Sequence, residues 1–561
     1  MRIKRSRLRS GLAVGSVLLS GVFCGLSETS EAATAYYLND ASTNGTVYTT
    51  APGNDANDGL TPATPKTSIQ ATLDTYDTVG GDVIYVDTGL YNVSGDTRII
   101  WSRGGDAEHG PLTIQGSTNV MDGGSTLHRT GSGGSGQGFN VNASHVTLRD
   151  MAVRNFNRGI YLNTNRNVTA EHIWAYSNNV GIFAFQTDGA TLRNLRISDN
   201  EAGVDLSNAR TTIVENVTFV SNADYSYRAR NTILNNTLQN NIFVVTHTNA
   251  PALAGPGVTS GQSFVDYNIY YFENQGTIHG GYSDLRLWQL GEGHDFRSAI
   301  TDPLLHDPAS GNFHLRSEFG RYRPDVGFFV PDGETSWAIG RGNPESPFDQ
   351  QPAPTAGRIN LGAFGNTEFA SKGSTNPVVL TRTLMDGITI SNLAQQVQPL
   401  VWAINNLPEG LLFDVEYSPD GGANWYTIQE DVDADREYVI WTTDPTLNAF
   451  NARWRVIGEA DSVVYSAESD PPFDVEFGSF EGITDQFFTS GRHTIRWRGA
   501  WAERYRVEYT ENGIHWTNAP TGPGEDQDAD FISDRGGDFF YQDVESTNVR
   551  FRSYRVFWDP Q

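Results

Sequence analysis

Aromatic and acidic side chains recur at a spacing of 22 residues in the middle of the chain, at Tyr161, Phe183 and Asp205. The next position of this series is Tyr227, which is followed by Arg228. Sugar rings present apolar faces that stack on aromatic rings, and their hydroxyl groups bond to carboxylates. If these side chains share one surface, we expect Tyr161 and Phe183 to bind a glycan. The alternative is that loops or a partner cover the rings.

A second set of side chains, Trp174, Tyr176 and Arg196, combines aromatic rings with a guanidinium group. Such residues form structural cation–π pairs, and they also suit an acidic sugar. Residues 139–230 should repel a polyanion less than the rest of the chain does, because they hold nine Arg against eight Asp or Glu. The set predicts either a second substrate-binding surface or a structural cluster.

The candidate catalytic residues fit two reaction types. A lyase or epimerase needs a base next to a uronate carboxylate and a cation that stabilises the enolate-like intermediate. Tyr227 with Arg228 or Arg230 is the cluster that the sequence offers for this chemistry. A hydrolase needs two facing carboxylates, and Asp205 would then need Asp224 or Asp199 as its partner.

The same spacing extends over the whole segment 139–222. Apolar residues fall into columns when the segment is written in rows of 22, as in the column of Leu148, Ala170, Leu192 and Val214. Short strands of period two alternate with Asn, Gly and Ser, which indicates a β-solenoid rather than a helical repeat. We therefore predict an all-β protein in which each row is one coil of a parallel β-helix.

Alternation along each strand predicts which side chains are exposed. If Ile160 and Leu162 point into the coil, Tyr161 points outwards. Stacked coils lie about 4.8 Å apart. Tyr161, Phe183 and Asp205 should therefore form a continuous external strip, and the period extends it to the position of Tyr227.

Other columns favour structural roles. Residues of alternating charge predict a cross-strand ladder at Arg149, Glu171, Arg193 and Glu215. Amides predict a stacked ladder at Asn178, Asn200 and Asn222. His172 shares a turn column with Asp150, so we expect a structural rather than a catalytic histidine.

The N-terminus has the features of an export signal over residues 1–35. Basic residues precede the apolar stretch 11–26, and Ala33-Thr34-Ala35 offers small residues for cleavage. The one cysteine, Cys24, lies inside this segment, so no disulfide is expected in the mature chain. Removing the signal changes the basic and acidic counts from 39 and 66 to 34 and 64, which gives a net charge of 34 − 64 = −30.

This acidic balance argues against nucleic acid or an anionic membrane as a partner, because phosphate contacts need Lys and Arg. A membrane span is also not expected, since no later apolar run reaches the roughly 20 residues that a bilayer requires. We expect a secreted protein, extracellular or at the cell surface, with the periplasm as the alternative location.

Composition divides the mature chain into five parts. Residues 36–79 read as an N-terminal cap, 80–370 as the β-helix and 371–376 as a linker. Residues 377–475 and 476–561 read as two β-sandwich modules of immunoglobulin or fibronectin type. This prediction rests on an imperfect repeat, in which residues 413–418 ahead of Trp425 resemble residues 505–510 ahead of Trp516.

Five motifs carry a resemblance to a known group: GNDANDG at 53–59, GDVIYV at 81–86, NNIF at 240–243, DPLL at 302–305 and GRINLGAFGNT at 357–367. Over residues 36–370 the chain resembles the secreted right-handed parallel β-helix proteins of the pectate-lyase-like superfamily, notably its chondroitinase-B-like and alginate-lyase-like branches. The resemblance implies a lysine base assisted by Arg or calcium. The mature chain departs from this, because its two lysines, Lys66 and Lys372, lie near the ends of the predicted β-helix.

Acidic triplets resemble calcium loops, at Asp431, Asp433 and Asp435 and again at Asp526, Asp528 and Asp530. Arg436 and Phe531 replace the glycine that such loops require, so solvated turns are favoured. In the cap, Asp55 and Asp58 suit a hydrogen-bonded loop better than a metal site. We predict no metal site, with calcium as the alternative cofactor, and assign no oligomeric state.

Two hypotheses follow. In the first, the protein is secreted and binds an extracellular polysaccharide, uronate-containing ones included. This hypothesis leaves open whether the protein also degrades or modifies the polysaccharide by a lyase, epimerase or hydrolase reaction. In the second, it is a non-catalytic cell-surface or adhesive protein with a rigid β-helix rod.

Overall fold

A computed structural model of the protein describes residues 33–118, 124–130, 136–382, 389–391, 397–443, 449–470, 472–476, 481–489, 492–499, 504–510, 517–518, 530–532, 537–542 and 552–558. Residues 1–32 of the predicted export signal lie outside the described residues. Much of the predicted second module also lies outside them, including Trp516, Asp526 and Asp528.

The first part of the chain is built from short strands. They are β1 (Ala35–Leu38), β2 (Val83–Val86), β3 (Gly89–Val93), β4 (Thr97–Ile99), β5 (Leu112–Gln115), β6 (Ser125–Arg129), β7 (Gln137–Val141), β8 (Val146–Arg154) and β9 (Arg158–Asn163). They continue as β10 (Val168–Tyr176), β11 (Val180–Phe185), β12 (Thr191–Ser198), β13 (Ala202–Ser207), β14 (Ile213–Val220), β15 (Tyr225–Arg230), β16 (Asn236–Gln239) and β17 (Ile242–Val245). The remainder are β18 (Pro251–Ala254), β19 (Ser263–Asp266), β20 (Ile269–Phe272), β21 (Thr277–His279), β22 (Ala299–Ile300), β23 (Leu305–Asp307), β24 (Asn312–Leu315), β25 (Arg321–Arg323) and β26 (Phe328–Val330).

Strands β1 to β22 form a right-handed parallel β-helix, as the sequence predicted, whereas β23–β24 and β25–β26 are antiparallel pairs. One sheet runs β1-β2-β5-β8-β10-β12-β14-β17-β20-β22, and a second runs β4-β7-β9-β11-β13-β15-β18-β21. Two α-helices lie among the described residues, α1 (Ile69–Thr75) and α2 (Leu285–Glu292). None of the described helices is long and apolar enough to cross a membrane.

Each regular coil has three faces because its long strand bends at one residue. In β10 the bend is His172, which adopts a left-handed backbone with φ 53°. The equivalent bends are Asp150, Asn194 and Asn216, with φ 58°, 53° and 53°. Asn and Asp tolerate this conformation better than most residues. We call the outer surfaces of 168–171, 173–176 and 180–185, with their equivalents in other coils, faces 1, 2 and 3.

The predicted apolar column forms the interior. Ala170 pairs with Leu148 and with Leu192, and Leu192 pairs with Val214. All four side chains are fully buried. In the later coils aromatic rings take over, because Phe219, Phe243 and Tyr270 stack with centroid separations of 4.8 and 5.1 Å.

Both predicted ladders are present. Asn178 Nδ2 donates to Asn200 Oδ1 at 3.1 Å, and Asn200 Nδ2 donates to Asn222 Oδ1 at 3.0 Å. In the charged ladder, Glu171 lies 3.4 Å from Arg149 and 2.7 Å from Arg193.

Residues 299–370, the covering segment, fold back over face 2 of the later coils. Val220, Val244 and Ile269 share a second apolar core with Phe313 and Leu361 of this segment. Bend residues hold the segment in place, because Asn194 Nδ2 donates to Gly365 O at 2.7 Å and Asn216 Nδ2 donates to Asn360 O at 2.8 Å. The GRINLGAFGNT motif therefore has a structural role.

The C-terminal part consists of sheets that are antiparallel except for the parallel pair of β28 and β35. The strands are β27 (Val378–Thr381), β28 (Thr389–Ser391), β29 (Val397–Asn405), β30 (Leu412–Ser418), β31 (Tyr426–Asp433), β32 (Tyr438–Thr442), β33 (Ala449–Ala460), β34 (Val463–Glu468) and β35 (Phe473–Glu476). The last strands are β36 (Glu481–Thr489), β37 (Arg492–Gly499), β38 (Arg504–Thr510), β39 (Thr517–Asn518), β40 (Asp530–Ile532), β41 (Gly537–Gln542) and β42 (Ser553–Trp558). Sheets β27-β29-β32 and β28-β35-β33-β30-β31 share one apolar core, which includes Trp402, Phe413 and Trp454.

The first C-terminal unit contacts the end of the β-helix through two ion pairs of the buried Arg358, one to the buried Glu437 and one to the exposed Asp435. Arg358 Nη1 lies 2.8 Å from Glu437 Oε2, and Nη2 lies 2.6 Å from Asp435 Oδ1. Phe296 stacks on Tyr438 at 4.5 Å. Two residues of the predicted linker bond to the parts on either side of it: Ser371 Oγ donates to Leu315 O, and Asn406 Nδ2 donates to Ser374 O.

Candidate functional site

The predicted strip on face 3 is present. Phe183 pairs with Tyr161 on one side and with Asp205 on the other. The rings of Tyr161 and Phe183 stack at 5.3 Å with an interplanar angle of 18°. Residues separated by 22 positions in the sequence are thus direct neighbours across the sheet.

Tyr227 does not continue the strip, so its predicted exposed position is wrong. Asp205 pairs with Arg228, and Tyr227 pairs with the inward-pointing Val204. The row contains one additional residue between these strands, which shifts the alternation by one position. Tyr227 is 3% exposed and belongs to the interior core, and burial raises the pKa of its hydroxyl. A glycan outside the coil therefore cannot reach this side chain.

Asp205 lies beneath two arginines that reach over it from the next strand. Its Oδ2 lies 2.6 Å from Arg228 Nη2 and 3.0 Å from Arg230 Nη2. Its Oδ1 accepts from Arg230 Nε at 3.0 Å and from Arg228 Nε at 3.3 Å. The Tyr225 hydroxyl also lies 3.4 Å from Oδ2. The Asp205 side chain is only 3% exposed, so it orients the two guanidinium groups instead of facing solvent.

A third arginine lies over the aromatic part of the strip. Arg158 Cζ is 4.7 Å from the Tyr161 ring centre and 4.6 Å from that of Phe183. Arg230 Cζ also lies 5.5 Å from the centre of the Phe183 ring. Phe183 is therefore 8% exposed, whereas Tyr161 is half-buried. The rings support guanidinium groups more than they offer open faces to a sugar.

We define the arginine strip as Arg158, Tyr161, Phe183, Asp205, Arg228 and Arg230. Its three Arg and one Asp give a charge of +2, whereas the chain has a net charge of −27. Two acidic residues, Glu201 and Asp224, lie in turns at one edge. The opposite edge is polar and uncharged, with Asn231 Nδ2 donating to Ser207 Oγ at 2.9 Å.

The second predicted surface lies on face 2, beside the covering segment. Arg196 Cζ is 4.7 Å from the Trp174 ring centre, and Tyr176 stacks on Trp174 at 4.2 Å. The backbone of Gly311 lies against the indole, because a Cβ atom at that position would be 2.4 Å from Trp174. Arg154 also lies 5.8 Å from the Tyr176 ring. These contacts favour the structural interpretation of Trp174 and Arg196.

His314 of the covering segment completes this cluster. It is buried and stacks on Phe364 at 3.7 Å. Burial, followed by the nearby charge of Arg196, holds the pKa of His314 well below its usual range. Burial also lowers the pKa of Arg196 to about 10. A neutral imidazole close to a guanidinium is consistent with packing between the covering segment and face 2.

The acidic residues considered for calcium have other partners. Asp435 forms the ion pair with Arg358, and Asp433 accepts from the backbone of Asp435 at 3.0 Å. In the cap, Asp55 accepts from the backbone N–H groups of residues 67 and 68, while Lys66 Nζ donates to the Asp55 carbonyl at 3.0 Å. Over the described part of the chain, no group of three His, Cys, Asp or Glu residues is arranged to hold a metal ion.

Sequence reasoning missed Arg158 and gave Arg230 only a secondary role. Arg158 was detectable, because it directly precedes the Gly159-Ile160 start of a row and lies one register position from the strip. Its position over two rings depends on side-chain conformation, which the row alignment does not predict. Arg230 was harder to place, because the extra residue between the rows moves it onto face 3.

Known proteins match parts of this chain. The family model described as "Right handed beta helix region" matches residues 108–275. No curated protein matches the chain at a significant level. Among solved structures, an alginate lyase from Paenibacillus sp. str. FPU-7 is similar at 16% identity and a TM-score of 0.25, over 38% of this chain and 94% of that one.

Two further structures are similar at low identity. Pectate lyase Pel9A matches at 14% identity and a TM-score of 0.33, over 59% of this chain and 97% of that one. Tailspike protein 2 from Escherichia coli O157:H7 bacteriophage CAB120 matches at 9% identity and a TM-score of 0.23, over 93% of this chain and 59% of that one. Similarity at this level transfers no activity. The family model confirms the predicted fold, because residues 108–275 form the right-handed β-helix that it describes.

Proposed function

We propose that this protein binds an extracellular polysaccharide that carries carboxylate groups, along face 3 of the β-helix. The observation that carries the proposal is the arginine strip, in which a buried Asp205 fixes Arg228 and Arg230 beside a third arginine over two aromatic rings. Guanidinium groups held in fixed orientations suit the planar geometry of carboxylates. A uronate-containing chain could place successive carboxylates on successive coils.

The charge of the strip supports an anionic ligand. Arg228 and Arg230 share one carboxylate, and each uses Nε and Nη2 for that contact. Nη1 of each group therefore has no hydrogen bond to another described residue. Arg158 contacts rings and forms no ion pair with the described acidic residues. These groups retain donors for a ligand, and the half-buried Tyr161 offers an aromatic edge beside them.

The geometry supports binding better than hydrolysis at Asp205. Hydrolysis requires two carboxylates that flank the scissile bond. Asp205 is covered, and both of its oxygens accept from arginines. Of the predicted catalytic residues, Asp205 thus serves in this proposal as a positioning residue and Arg228 as a ligand-binding residue. Tyr227 has no role in it because it lies in the core.

Affinity electrophoresis of the full mature chain tests the proposal. Gels should contain polygalacturonate, alginate or a neutral glucan. We expect retardation by the acidic polymers, and a loss of at least tenfold in affinity for Arg228→Gln/Arg230→Gln. Arg323→Gln is the matched control, because Arg323 is exposed and forms its ion pair with Asp325 in the hairpin β25–β26. Equal retardation of the double variant and the control would contradict the proposal.

Ultraviolet absorbance should be followed in the same mixtures, because unsaturated uronates report a lyase reaction. Turnover that survives Arg228→Gln/Arg230→Gln would place the reaction elsewhere on the protein.

The proposed ligand is extracellular, so the proposal requires that the protein is exported. The signal predicted over residues 1–35 would deliver the protein to such a glycan. Fractionation of expressing cells distinguishes the medium and cell surface from the periplasm.

The rigid rod is the second candidate function. It is favoured by the junction at Arg358, where two ion pairs connect the β-helix with the first C-terminal unit. An adhesive rod predicts that the full chain still attaches to cells after Arg228→Gln/Arg230→Gln. Loss of attachment in that variant would favour the glycan-binding strip instead.

A further inference from the structure

A cavity of about 150 Å³ lies between the end of the β-helix and the first C-terminal unit. The β-helix side contributes Arg297, Trp337 and Arg341, and the other side contributes Arg382 and Trp402. One water molecule needs about 10–15 Å³ of such volume. The cavity is therefore large enough for a small organic molecule. Its mouth is lined by Ile300 and Leu380, which are 41% and 45% exposed.

Arg341 is the unusual residue of this cavity. It is 8% exposed, and its Nε and Nη1 atoms are buried without a hydrogen-bond partner among the described residues. Burial lowers the pKa of Arg341 to about 10, so the side chain remains charged at neutral pH. A buried cation without a partner is strongly unfavourable. Among the described residues, no acidic side chain forms an ion pair with Arg341.

The other charged groups that line the cavity have partners, although Arg382 forms no ion pair among the described residues. Arg297 Nη1 lies 2.8 Å from Asp266, and Glu437 lies 2.8 Å from Arg358. The second Glu437 oxygen accepts from the backbone N–H of residue 404 at 3.1 Å. The Arg382 guanidinium donates to the carbonyl of Ser298. Glu437 therefore acts on Arg341 only through its charge and forms no ion pair or hydrogen bond with it among the described residues.

We propose that this cavity binds one carboxylate-bearing sugar unit, with the carboxylate at Arg341 and the sugar ring beside Trp337. Trp337 is half-buried, lines the cavity and lies 5.6 Å from the Arg341 guanidinium. An aromatic ring beside a guanidinium offers stacking for the apolar face of a sugar and bidentate bonding for its carboxylate. This site is separate from the arginine strip, and the inference does not depend on the function proposed for face 3.

Because the cavity lies at the junction, a ligand bound in it should also stabilise the contact between the β-helix and the first C-terminal unit. Its walls come from both the β-helix and the first C-terminal unit, so a ligand would contact both at once. A ligand that binds the folded state stabilises it in proportion to the logarithm of its concentration. The sugar acid should thus strengthen the junction between the two parts.

Calorimetric titration and thermal unfolding of the full mature chain test this inference. The probes are D-galacturonate, D-galactose and sulfate at constant ionic strength. We expect galacturonate to bind and to raise Tm, with no effect of galactose. Arg341→Gln should lose at least tenfold in affinity while remaining folded, because the Arg341 Nε and Nη1 atoms make no bond that the substitution would break. Trp337→Leu should weaken the binding of galacturonate.

Matched variants separate this site from the strip. Arg228→Gln/Arg230→Gln should leave the binding of galacturonate to the cavity unchanged, and Arg341→Gln should leave the retardation by polygalacturonate unchanged. Three results would overturn the inference: no binding of galacturonate by the unmodified chain, equal binding by Arg341→Gln, or binding of sulfate without binding of galacturonate. The last result would identify a site for an inorganic anion.

Discussion

Asp205 Oδ2 lies 2.6 Å from Arg228 Nη2, and the same carboxylate accepts two bonds from Arg230. The carboxylate is 3% exposed, whereas the two arginine side chains are 31% and 40% exposed. One buried acid therefore sets the orientation of two cations at the surface. In the proposed binding mode, this relationship gives Asp205 a positioning role without any contact between Asp205 and the ligand.

Asp205→Asn tests the positioning role. An amide cannot accept bonds from two guanidinium groups as a carboxylate does, so both arginines should lose their fixed orientation. We expect the affinity for polygalacturonate to fall about tenfold. Stability should fall by only about 1–3 kcal/mol, since the half-exposed arginines can be rehydrated. Affinity electrophoresis and urea unfolding measure the two effects.

A catalytic carboxylate would behave differently in the same experiment. Asp205→Asn would then retain affinity for the polymer while losing turnover. The control is Asp224→Asn, which removes the same charge from an exposed turn at the edge of the strip. Retained affinity in Asp205→Asn would contradict the positioning role.

The ring of Phe183 contacts the guanidinium groups of both Arg158 and Arg230. Phe183→Leu should therefore weaken binding of acidic polymers by about two- to fivefold, because a cation–π contact contributes about 0.5–1 kcal/mol at such sites. The binding of neutral glycans should not change. Ile213→Leu on face 1 serves as the control, since Ile213 is an exposed apolar residue. A larger effect on neutral than on acidic sugars would indicate that Phe183 stacks directly on the ligand.

The sequence predicted the β-helix well because the period of 22 residues is a direct consequence of the coil length. Tyr161, Phe183 and Asp205 obey that period and are neighbours as predicted. Tyr227 does not, because the next row is one residue longer and alternation moves its ring into the core. A period detected over four rows cannot predict where an insertion ends it, and a shift of one residue exchanges inside and outside.

Contacts between distant segments were also not predictable from the period. Trp174 and Arg196 occupy exposed positions of their strands, yet Gly311 lies against the indole from a segment more than 130 residues later in the chain. The environment of Arg341 likewise arises only where the β-helix meets the first C-terminal unit. The 22-residue repeat does not predict such contacts, because they do not recur from one coil to the next.

The asparagine ladder makes a prediction about stability. Asn200 Nδ2 donates to the carbonyl of Ala175 and to Asn222, and Asn200 Oδ1 accepts from the backbone and side chain of Asn178. Asn200→Ala leaves several of these buried groups without partners, so we expect a loss of about 2–4 kcal/mol. Asn179→Ala is the control, because Asn179 makes one side-chain bond of 3.3 Å and is half-buried. Similar urea midpoints for both variants would show that the ladder adds no stability.

The ion pairs at the junction make another prediction. Arg358→Met leaves the buried Glu437 without its cation, and breaking such a pair is unfavourable by about 3–5 kcal/mol. Amide hydrogen exchange should rise in residues 435–438 and 296–299, on the two sides of the junction. Arg358→Met/Glu437→Gln should recover most of the protection, since glutamine carries no charge and can still accept from residue 404. Unchanged exchange in the single variant would show that the junction does not depend on this pair.

Titration of Asp266, which lies beside the same junction, should make the free energy of unfolding depend on pH. Burial raises the pKa of this carboxyl to about 6, with Arg297 opposing the shift and Asp295 adding to it. The folded state thus favours the protonated form, so the contribution to stability is complete below about pH 4 and is lost as pH rises through 6. The loss amounts to about 3 kcal/mol.

Urea unfolding from pH 4 to pH 7 should show this decline in the free energy of unfolding, and Asp266→Asn should make the decline smaller. Asp199→Asn, in an exposed turn with φ 53° that asparagine tolerates, should retain the slope of the unmodified protein. A stability that rises over this range in the unmodified protein would contradict the assignment.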